Sequence, residues 1–163
     1  MEWVSGSPAQ TRRLGVRLGR LLQKQDVVAL IGEIGAGKTT FVQGVAQGLG
    51  VPEQTVASPS FVLVREYHGR FPLYHADLFR LEGMPEAETV GLEEHYEGSG
   101  ATVIEWANRI PEVLPKEFLE IRFEVLDPKE RRLHLIPHGS RYQARLAALK
   151  GSDPAGSDPG QVR

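Results

Sequence analysis

Leucines near the amino end of the chain recur at the spacing of a single helix face. They are Leu14, Leu18, Leu21 and Leu22. Ser7 can cap this helix, Pro8 suits its first position, and Gln10 can complete a capping box. The pattern predicts an amphipathic helix that packs on a sheet.

Apolar runs of strand length predict that sheet. Residues 27–31 and 101–104 are continuous apolar runs, which are typical of buried parallel strands. Residues 61–64 and 71–75 flank a His-Gly turn signal and predict an antiparallel hairpin. Alternating residues predict a second hairpin, with inward positions Leu119, Ile121, Phe123 and Val125, a turn over residues 127–130 and a return strand over 132–136.

Three further segments have helical patterns. Residues 39–48 end at a glycine, and Ser140 can cap a last helix that carries Leu146 and Leu149. The acidic segment 84–97 has four possible inward positions. They are Met84, Ala87, Val90 and Leu92.

The order of these elements predicts an α/β fold with a mixed sheet: a parallel centre, antiparallel hairpins, and helices on both faces. We expect one domain over residues 1–150 and a disordered tail over 151–163, where Gly-Ser-Asp-Pro occurs twice. Ligands of such sheets bind at the carboxyl ends of the strands, so polar residues at those ends are the candidates for function.

Residues 32–40 read Gly-Glu-Ile-Gly-Ala-Gly-Lys-Thr-Thr and fit the phosphate-binding P-loop pattern G-x-x-x-x-G-K-[ST]. Glycines let backbone N–H groups point at phosphate oxygens, and the following helix adds its own unpaired N–H groups. Lys38 would neutralise the β- and γ-phosphates, and the Thr39 hydroxyl would ligate Mg²⁺. Because the motif lies between a predicted strand and a predicted helix, we expect a P-loop nucleotide-binding fold.

A P-loop needs a carboxylate near Mg²⁺ or its waters. Glu105 comes directly after the apolar run 101–104, and Asp77 follows the second strand of the first hairpin. Either can be the metal-side or the water-side group, and either can instead be an exposed strand-end acid or a helix cap. His75 can position a carboxylate or a water, or be structural. Trp106 can stack on the nucleotide or fill the core.

Composition narrows the classes of function. The 163 residues include no cysteine, which excludes disulfides and a thiol nucleophile. We find no signal-peptide pattern and no apolar run long enough to span a membrane, so we expect a cytoplasmic protein with no membrane partner. The net charge of −2 gives no reason to expect strong direct binding of nucleic acid.

Four blocks in this order resemble the TsaE (YjeE) family of bacterial ATPases: the P-loop, Ser58-Pro59-Ser60-Phe61, residues 75–81 and Ile104-Glu105-Trp106. The resemblance covers roughly residues 7–136, including a Thr-x-x-Leu-Gly stretch from Thr11. Two positions depart from the family pattern: Ser60 replaces a usual threonine and keeps its hydroxyl, and Phe79 replaces a usual tyrosine and loses one.

The resemblance implies an ATPase, with Mg²⁺ as cofactor and ATP as substrate, that acts in threonylcarbamoyladenosine modification beside the tRNA anticodon. It implies binding to the TsaB–TsaD heterodimer, in which TsaD carries the transferase chemistry, and only indirect contact with tRNA. Catalysis would involve Lys38, Asp77 and Glu105, Mg²⁺ would bind Thr39 and Glu105, and Ser58 and Ser60 would lie in a switch-like loop. The implied nucleotide-binding residues are Gly32, Ile34, Gly35, Ala36, Gly37, Lys38, Thr39, Thr40, Asp77 and Trp106.

Two other functions fit a P-loop domain of this size. A small-molecule kinase needs an arginine-bearing lid and an acceptor pocket, and Arg131-Arg132 is the only late basic pair for that purpose. A nucleotide-gated binding module needs no hydrolysis. Phosphate transfer to a metabolite would favour the first, and function without Asp77 or Glu105 would favour the second.

Overall fold

The computed structural model describes residues 1–52 and 64–152. The strands are β1 Glu2–Ser5, β2 Val27–Ile31, β3 Val64–His68, β4 Pro72–Asp77, β5 Ala101–Glu105, β6 Phe118–Val125 and β7 Arg131–His138. The helices are α1 Pro8–Leu21, α2 Lys38–Gly48, α3 Met84–Val90, α4 Leu92–Tyr96 and α5 Ser140–Gly151. Short 3-10 turns at Ala107–Arg109 and Pro111–Val113 connect β5 to β6.

The seven strands in the described part of the chain form one sheet in the order β1-β7-β6-β2-β5-β4-β3. The pairs β6–β2, β2–β5 and β5–β4 are parallel, whereas β1–β7, β7–β6 and β4–β3 are antiparallel. The predicted mixed sheet with a parallel centre is therefore confirmed. Strand β2 lies at its middle, so its carboxyl end opens between β5 and β6.

Two hydrophobic cores cover opposite faces of the sheet. Val28 and Leu30 of β2 belong to the core that α1, α2 and α5 cover. Val27 and Ala29 belong to the core that α3, α4 and the 3-10 turns cover. Burial on both faces explains why β2 is a continuous apolar run, and it confirms helices on both sides of the sheet.

Helices α1 and α2 meet backbone to backbone. A Cβ on Gly44 would lie 2.1 Å from the carbonyl oxygen of Arg12, and one on Gly15 would lie 2.3 Å from that of Phe41. Leu14 and Leu18 are fully buried in the adjoining core. Helix α1 therefore packs on α2 as well as on the sheet, and it brings its first turn to the start of α2.

The amino end of α1 is capped much as predicted. The Ser7 hydroxyl accepts a hydrogen bond from the Gln10 N–H at 3.2 Å. The Gln10 side chain accepts its return bond from the Gly6 N–H rather than from that of Ser7. The chain therefore enters α1 through two reciprocal bonds, a variant of the capping box.

Several predicted boundaries were wrong. The first hairpin strand is Val64–His68, with His68 still in the strand, and residues 61–63 lie outside the described residues. The acidic segment forms two helices because Gly91, with φ of 72°, interrupts it. Gly139, not Ser140, caps α5. The predicted tail lies outside the described residues from 153 onward.

Buried and exposed side chains do not alternate along β6 as regularly as its sequence predicts. Val125, predicted to point inward, is 43% exposed, because it lies at the far end of the strand. Glu120, predicted to face solvent, is only 6% exposed, and its carboxylate accepts hydrogen bonds from Arg122 and His138. Partners on β6 and β7 thus allow a charged side chain to be buried.

Strand β1 was not predicted, since four residues are too few to show a period. It pairs with β7 at the edge of the sheet and buries Trp3 completely. The amino group of Met1 donates to the carbonyl oxygen of Leu135 at 3.0 Å. No helix in the described part of the chain is long and apolar enough to cross a membrane.

Candidate active site

The glycine-rich loop, residues 32–37, connects the carboxyl end of β2 to the amino end of α2. Gly35 and Gly37 have φ of 79° and 101°, which residues with side chains rarely adopt. A Cβ on Gly32 would lie 2.9 Å from that of Phe123. The first N–H groups of α2 have no partner inside the helix and, as at the amino end of any helix, point back toward the loop.

Lys38 bends back over the glycine-rich loop. Its ammonium group donates to the carbonyl oxygens of Gly32 and, at 2.8 Å, of Glu33. The Lys38 Nζ also lies 4.3 Å from the centre of the Trp106 ring. Burial lowers the pKa of Lys38, although nearby Glu105 and Asp77 oppose that shift. The loop therefore holds a cation that is only partly hydrated.

Thr39 faces Glu105, the last residue of β5. The Thr39 hydroxyl lies 3.2 Å and 3.4 Å from the two carboxylate oxygens of Glu105. The carboxylate is 4% exposed, and its Oε2 atom is 2.6 Å from Nε2 of His75 on β4. Three side chains from three elements thus meet at the carboxyl end of the sheet.

Asp77 ends β4 directly opposite Glu105 in the parallel pair. Its Oδ1 atom accepts a hydrogen bond from the Phe79 N–H at 2.9 Å. Burial raises the pKa of Asp77, and the charge of Glu105 adds to the rise, while the Phe79 bond opposes it. Asp77 is therefore a stronger proton acceptor than an exposed aspartate would be.

Trp106 packs on the core, which is one of the two roles that the sequence left open; stacking on a nucleotide stays a prediction. It has φ of 58°, a conformation that directs the chain away from β5. Its ring centre lies 4.8 Å from that of Phe79, and the side chain also packs on the core beneath α3. Trp106 therefore joins the core to the loop through its contact with Lys38.

The structure brings together most of the predicted site residues. Ile34 lies at the tip of the loop with 78% of its surface exposed, so its side chain has little contact with the rest of the site. Ser58 and Ser60 lie outside the described residues. Within the described ranges, no group of three His, Asp or Glu side chains is placed to hold a metal ion. A metal at Thr39 and Glu105 would need further ligands from a bound phosphate or water.

Two cavities that are lined by described residues flank the loop. One of about 390 Å³ lies between the start of α1 and the β6–β7 turn, with Thr11, Thr40 and Arg131 in its wall. The other, of about 410 Å³, is lined by Glu33, Trp106 and the end of β6. The sequence suggested Arg131 only as part of a kinase lid, whereas in the structure its guanidinium donates to the Gly35 carbonyl oxygen at 3.3 Å. Its only signal was its place in a basic pair.

The raised pKa of Asp77 has a consequence for stability. Because the folded protein holds this proton more tightly than the unfolded chain, stability falls as pH rises through the folded pKa. We expect Asp77→Asn to raise the unfolding temperature at neutral pH, without Mg²⁺ or nucleotide. The gain should vanish below about pH 4, where aspartate is protonated in both states.

Asp127 offers the opposite case as a control. Hydrogen bonds from the N–H groups of Lys129 and Glu130 lower the pKa of Asp127. Asp127→Asn should therefore lower the unfolding temperature at neutral pH, and this loss should shrink as pH falls. Thermal unfolding across pH tests both variants, and a pH-independent shift for Asp77→Asn would contradict the argument.

Comparisons with known proteins identify the family. The family profile described as "Threonylcarbamoyl adenosine biosynthesis protein TsaE" matches residues 5–133. The chain is 37% identical to the tRNA threonylcarbamoyladenosine biosynthesis protein TsaE of Bacillus subtilis, over 94% of this chain and 96% of that protein. It is 42% identical to the protein of the same name from Treponema pallidum, over 82% and 98%.

A solved structure agrees with the sequence comparisons. The crystal structure of Bacillus subtilis YdiB superposes with a TM-score of 0.83 at 33% identity, and the match covers 94% of this chain and 96% of that one. The profile, the relatives and the fold point the same way, and this chain belongs to the TsaE family of threonylcarbamoyladenosine biosynthesis proteins.

Proposed function

We propose that this protein binds Mg-ATP at the glycine-rich loop and hydrolyses it as an accessory ATPase of tRNA threonylcarbamoyladenosine modification. The observation that carries the proposal is the convergence of Lys38, Thr39, Asp77 and Glu105 beside one glycine-rich loop. A cation, a hydroxyl and two carboxylates are the groups that nucleotide hydrolysis needs.

The loop and the cavity beside Thr11 have room for the parts of ATP. Backbone N–H groups of residues 35–40 would bind the phosphates, and Lys38 would leave its carbonyl partners for the β- and γ-phosphates. The cavity beside Thr11 and Arg131 is large enough for the nucleoside. The γ-phosphate would lie beside Lys38, between Thr39 and the carboxylates of Asp77 and Glu105.

The donor set beside the loop suits Mg²⁺. This ion prefers hard oxygen ligands and usually binds one or two carboxylates together with substrate phosphates. Thr39 and Glu105 supply a hydroxyl and a buried carboxylate within 3.4 Å of each other. When bound, Mg²⁺ would neutralise charge on the phosphate oxygens, and Thr39 and Glu105 would hold it there.

Asp77 is best suited to the water. Its raised pKa and its place opposite Glu105 favour a proton acceptor rather than a second permanent anion. A water oxygen would attack the γ-phosphorus while the bond to the bridging oxygen of ADP breaks, and Asp77 would take the proton that the water loses. Glu105, with hydroxyl and imidazole partners, would remain the metal-side carboxylate.

Partner binding rests on the family and on exposed apolar side chains at the site. Ile34, Phe79 and Val125 are 78%, 41% and 43% exposed near the carboxyl end of the sheet. Exposed apolar residues around a functional site often mark a protein interface. We propose that the TsaB–TsaD heterodimer covers this surface and completes the site, and that tRNA is contacted only through the heterodimer.

Gel filtration with TsaB–TsaD tests this surface. We expect Val125→Asp to weaken the complex by roughly 10-fold or more, because a charge would be buried at the interface. Affinity for ATP should not change. Ala147→Asp, at an exposed position on α5, is the control and should bind normally. Equal binding by the wild type and Val125→Asp would remove this surface from the proposal.

The kinase alternative finds less support. Arg131 and Arg132 begin β7, where the Arg131 guanidinium donates to the Asp127 carbonyl oxygen and Arg132 pairs with Glu124 at 3.3 Å. Arginines held in a strand are poorly placed to act as a mobile lid. Phosphate transfer from ATP to a metabolite, in stoichiometric amounts, would reverse this preference.

A further inference from the structure

His75 is a fully buried histidine that the proposed hydrolysis does not use directly. It lies on β4, and its Nε2 atom is 2.6 Å from Oε2 of Glu105 on the neighbouring strand. Tyr67 of β3 packs beside it, with ring centres 6.1 Å apart. A buried imidazole against a buried carboxylate, both beside a candidate metal site, needs an explanation.

The register of the sheet explains how the pair forms. His75 pairs with Val103, so Glu105 lies two residues further along β5, on the same face of the sheet. The long Glu105 side chain spans this diagonal, and its Oε2 atom reaches Nε2 of His75. The imidazole is fixed by the sheet and by Tyr67, whereas the Glu105 side chain can rotate about several bonds.

We propose that His75 is a positioning residue, which donates its Nε2 proton to Glu105 and holds that carboxylate toward Thr39 and the bound metal. Without His75, the carboxylate has another group that attracts it. Lys38 is the cation beside it, and its charge interacts with Glu105. A Glu105 side chain that turned toward Lys38 would tie up both groups that the nucleotide requires.

The proposal predicts a specific defect. Groups that hold a metal ligand in place typically contribute 10- to 100-fold to metal affinity or activity. Loss of His75 should therefore raise the Mg²⁺ concentration needed for tight nucleotide binding by roughly 10-fold or more. Binding of ADP in the absence of Mg²⁺ should stay as in the wild type, since the loop itself is not altered.

The test uses a fluorescent ADP analogue titrated with Mg²⁺, on the full chain and three variants. His75→Leu removes the donor, His75→Asn keeps a polar group too short to reach Glu105, and His75→Gln restores a donor of suitable length. We expect the first two to need more Mg²⁺ and the third to resemble the wild type. The asparagine variant answers the question if the leucine variant does not fold.

His138 provides the matched control. It forms another histidine–glutamate pair, 2.8 Å from Glu120, between β6 and β7. His138→Leu should leave the Mg²⁺ requirement unchanged. In ATP hydrolysis at saturating Mg²⁺, His75→Leu should lower kcat more than it changes KM. The reason is that the orientation of the metal matters most in the transition state.

The inference rests on the proposed function, and the titration separates the two. If the wild type shows no Mg²⁺-dependent nucleotide binding, the proposed function fails and this inference fails with it. If the wild type and a folded His75→Leu or His75→Asn need the same Mg²⁺ concentration, only the positioning role is overturned. Failure of glutamine to restore the wild-type requirement would also overturn it.

Discussion

Replacement of Lys38 by alanine is expected to lower ATP hydrolysis by roughly 10²- to 10³-fold, the usual effect of removing one group that stabilises transition-state charge. Lys38 is the cation that the loop carbonyls of Gly32 and Glu33 hold beside Glu105. Its loss would leave the β- and γ-phosphates facing two carboxylates without their counter-charge. Steady-state phosphate release at saturating Mg-ATP measures the change.

The fold should tolerate this replacement. Burial already disfavours the charged form of Lys38, so alanine removes a partly desolvated cation along with its hydrogen bonds. Circular dichroism of Lys38→Ala should match the wild type. Lys24→Ala, at an exposed position in the turn before β2, is the control and should hydrolyse ATP normally. Near-normal hydrolysis by Lys38→Ala would contradict the proposed site.

Replacement of Gly44 by valine is expected to destabilise the protein strongly. Even a Cβ there would lie 2.1 Å from the Arg12 carbonyl oxygen and 3.0 Å from the Cα of Gly15. The neighbouring groups are backbone atoms of α1 and cannot rotate away, so the two helices must separate. Overpacking of this kind costs about 3 kcal/mol or more, a large part of the stability of a domain this size.

Urea unfolding measures this effect, with Gly44→Ala as a milder step. Gly151→Ala is the matched control, because it lies at the end of α5 with nothing within 4 Å of the added Cβ. Alanine normally favours a helix over glycine by about 1 kcal/mol, so the control should be neutral or slightly stabilising. A similar gain in Gly44→Ala would show that the α1–α2 contact is looser than the structure implies.

Much of the fold could be predicted because its signals are local. The apolar run of β2 reports burial on both faces, and the His-Gly signal correctly indicated a hairpin between β3 and β4. Strand β1 gave no such signal, because its stability comes from pairing with β7, far along the chain. The close α1–α2 contact was not predicted for the same reason. Its glycines allow the two backbones to approach, and this role is visible only once the helices are packed together.

The candidate site was predictable in its residues but not in its contacts. Position at a strand end selected Asp77 and Glu105, and the structure places them opposite each other. The sequence could not show whether His75 has a structural role or positions Glu105. The answer depends on the register of β4 against β5, which brings the two side chains together. The contact between Arg131 and the glycine-rich loop was not predicted, because the two segments are far apart in the sequence and meet only in the folded chain.

The most direct test of the account is ATP hydrolysis by the purified protein with Mg²⁺, alone and with TsaB–TsaD, beside Lys38→Ala. We expect slow hydrolysis by the protein alone and a clear rise with the heterodimer, because partners that complete such sites can contribute about 10³- to 10⁵-fold. Both rates should depend on Lys38. Identical hydrolysis with and without the heterodimer, together with no complex on gel filtration, would contradict it.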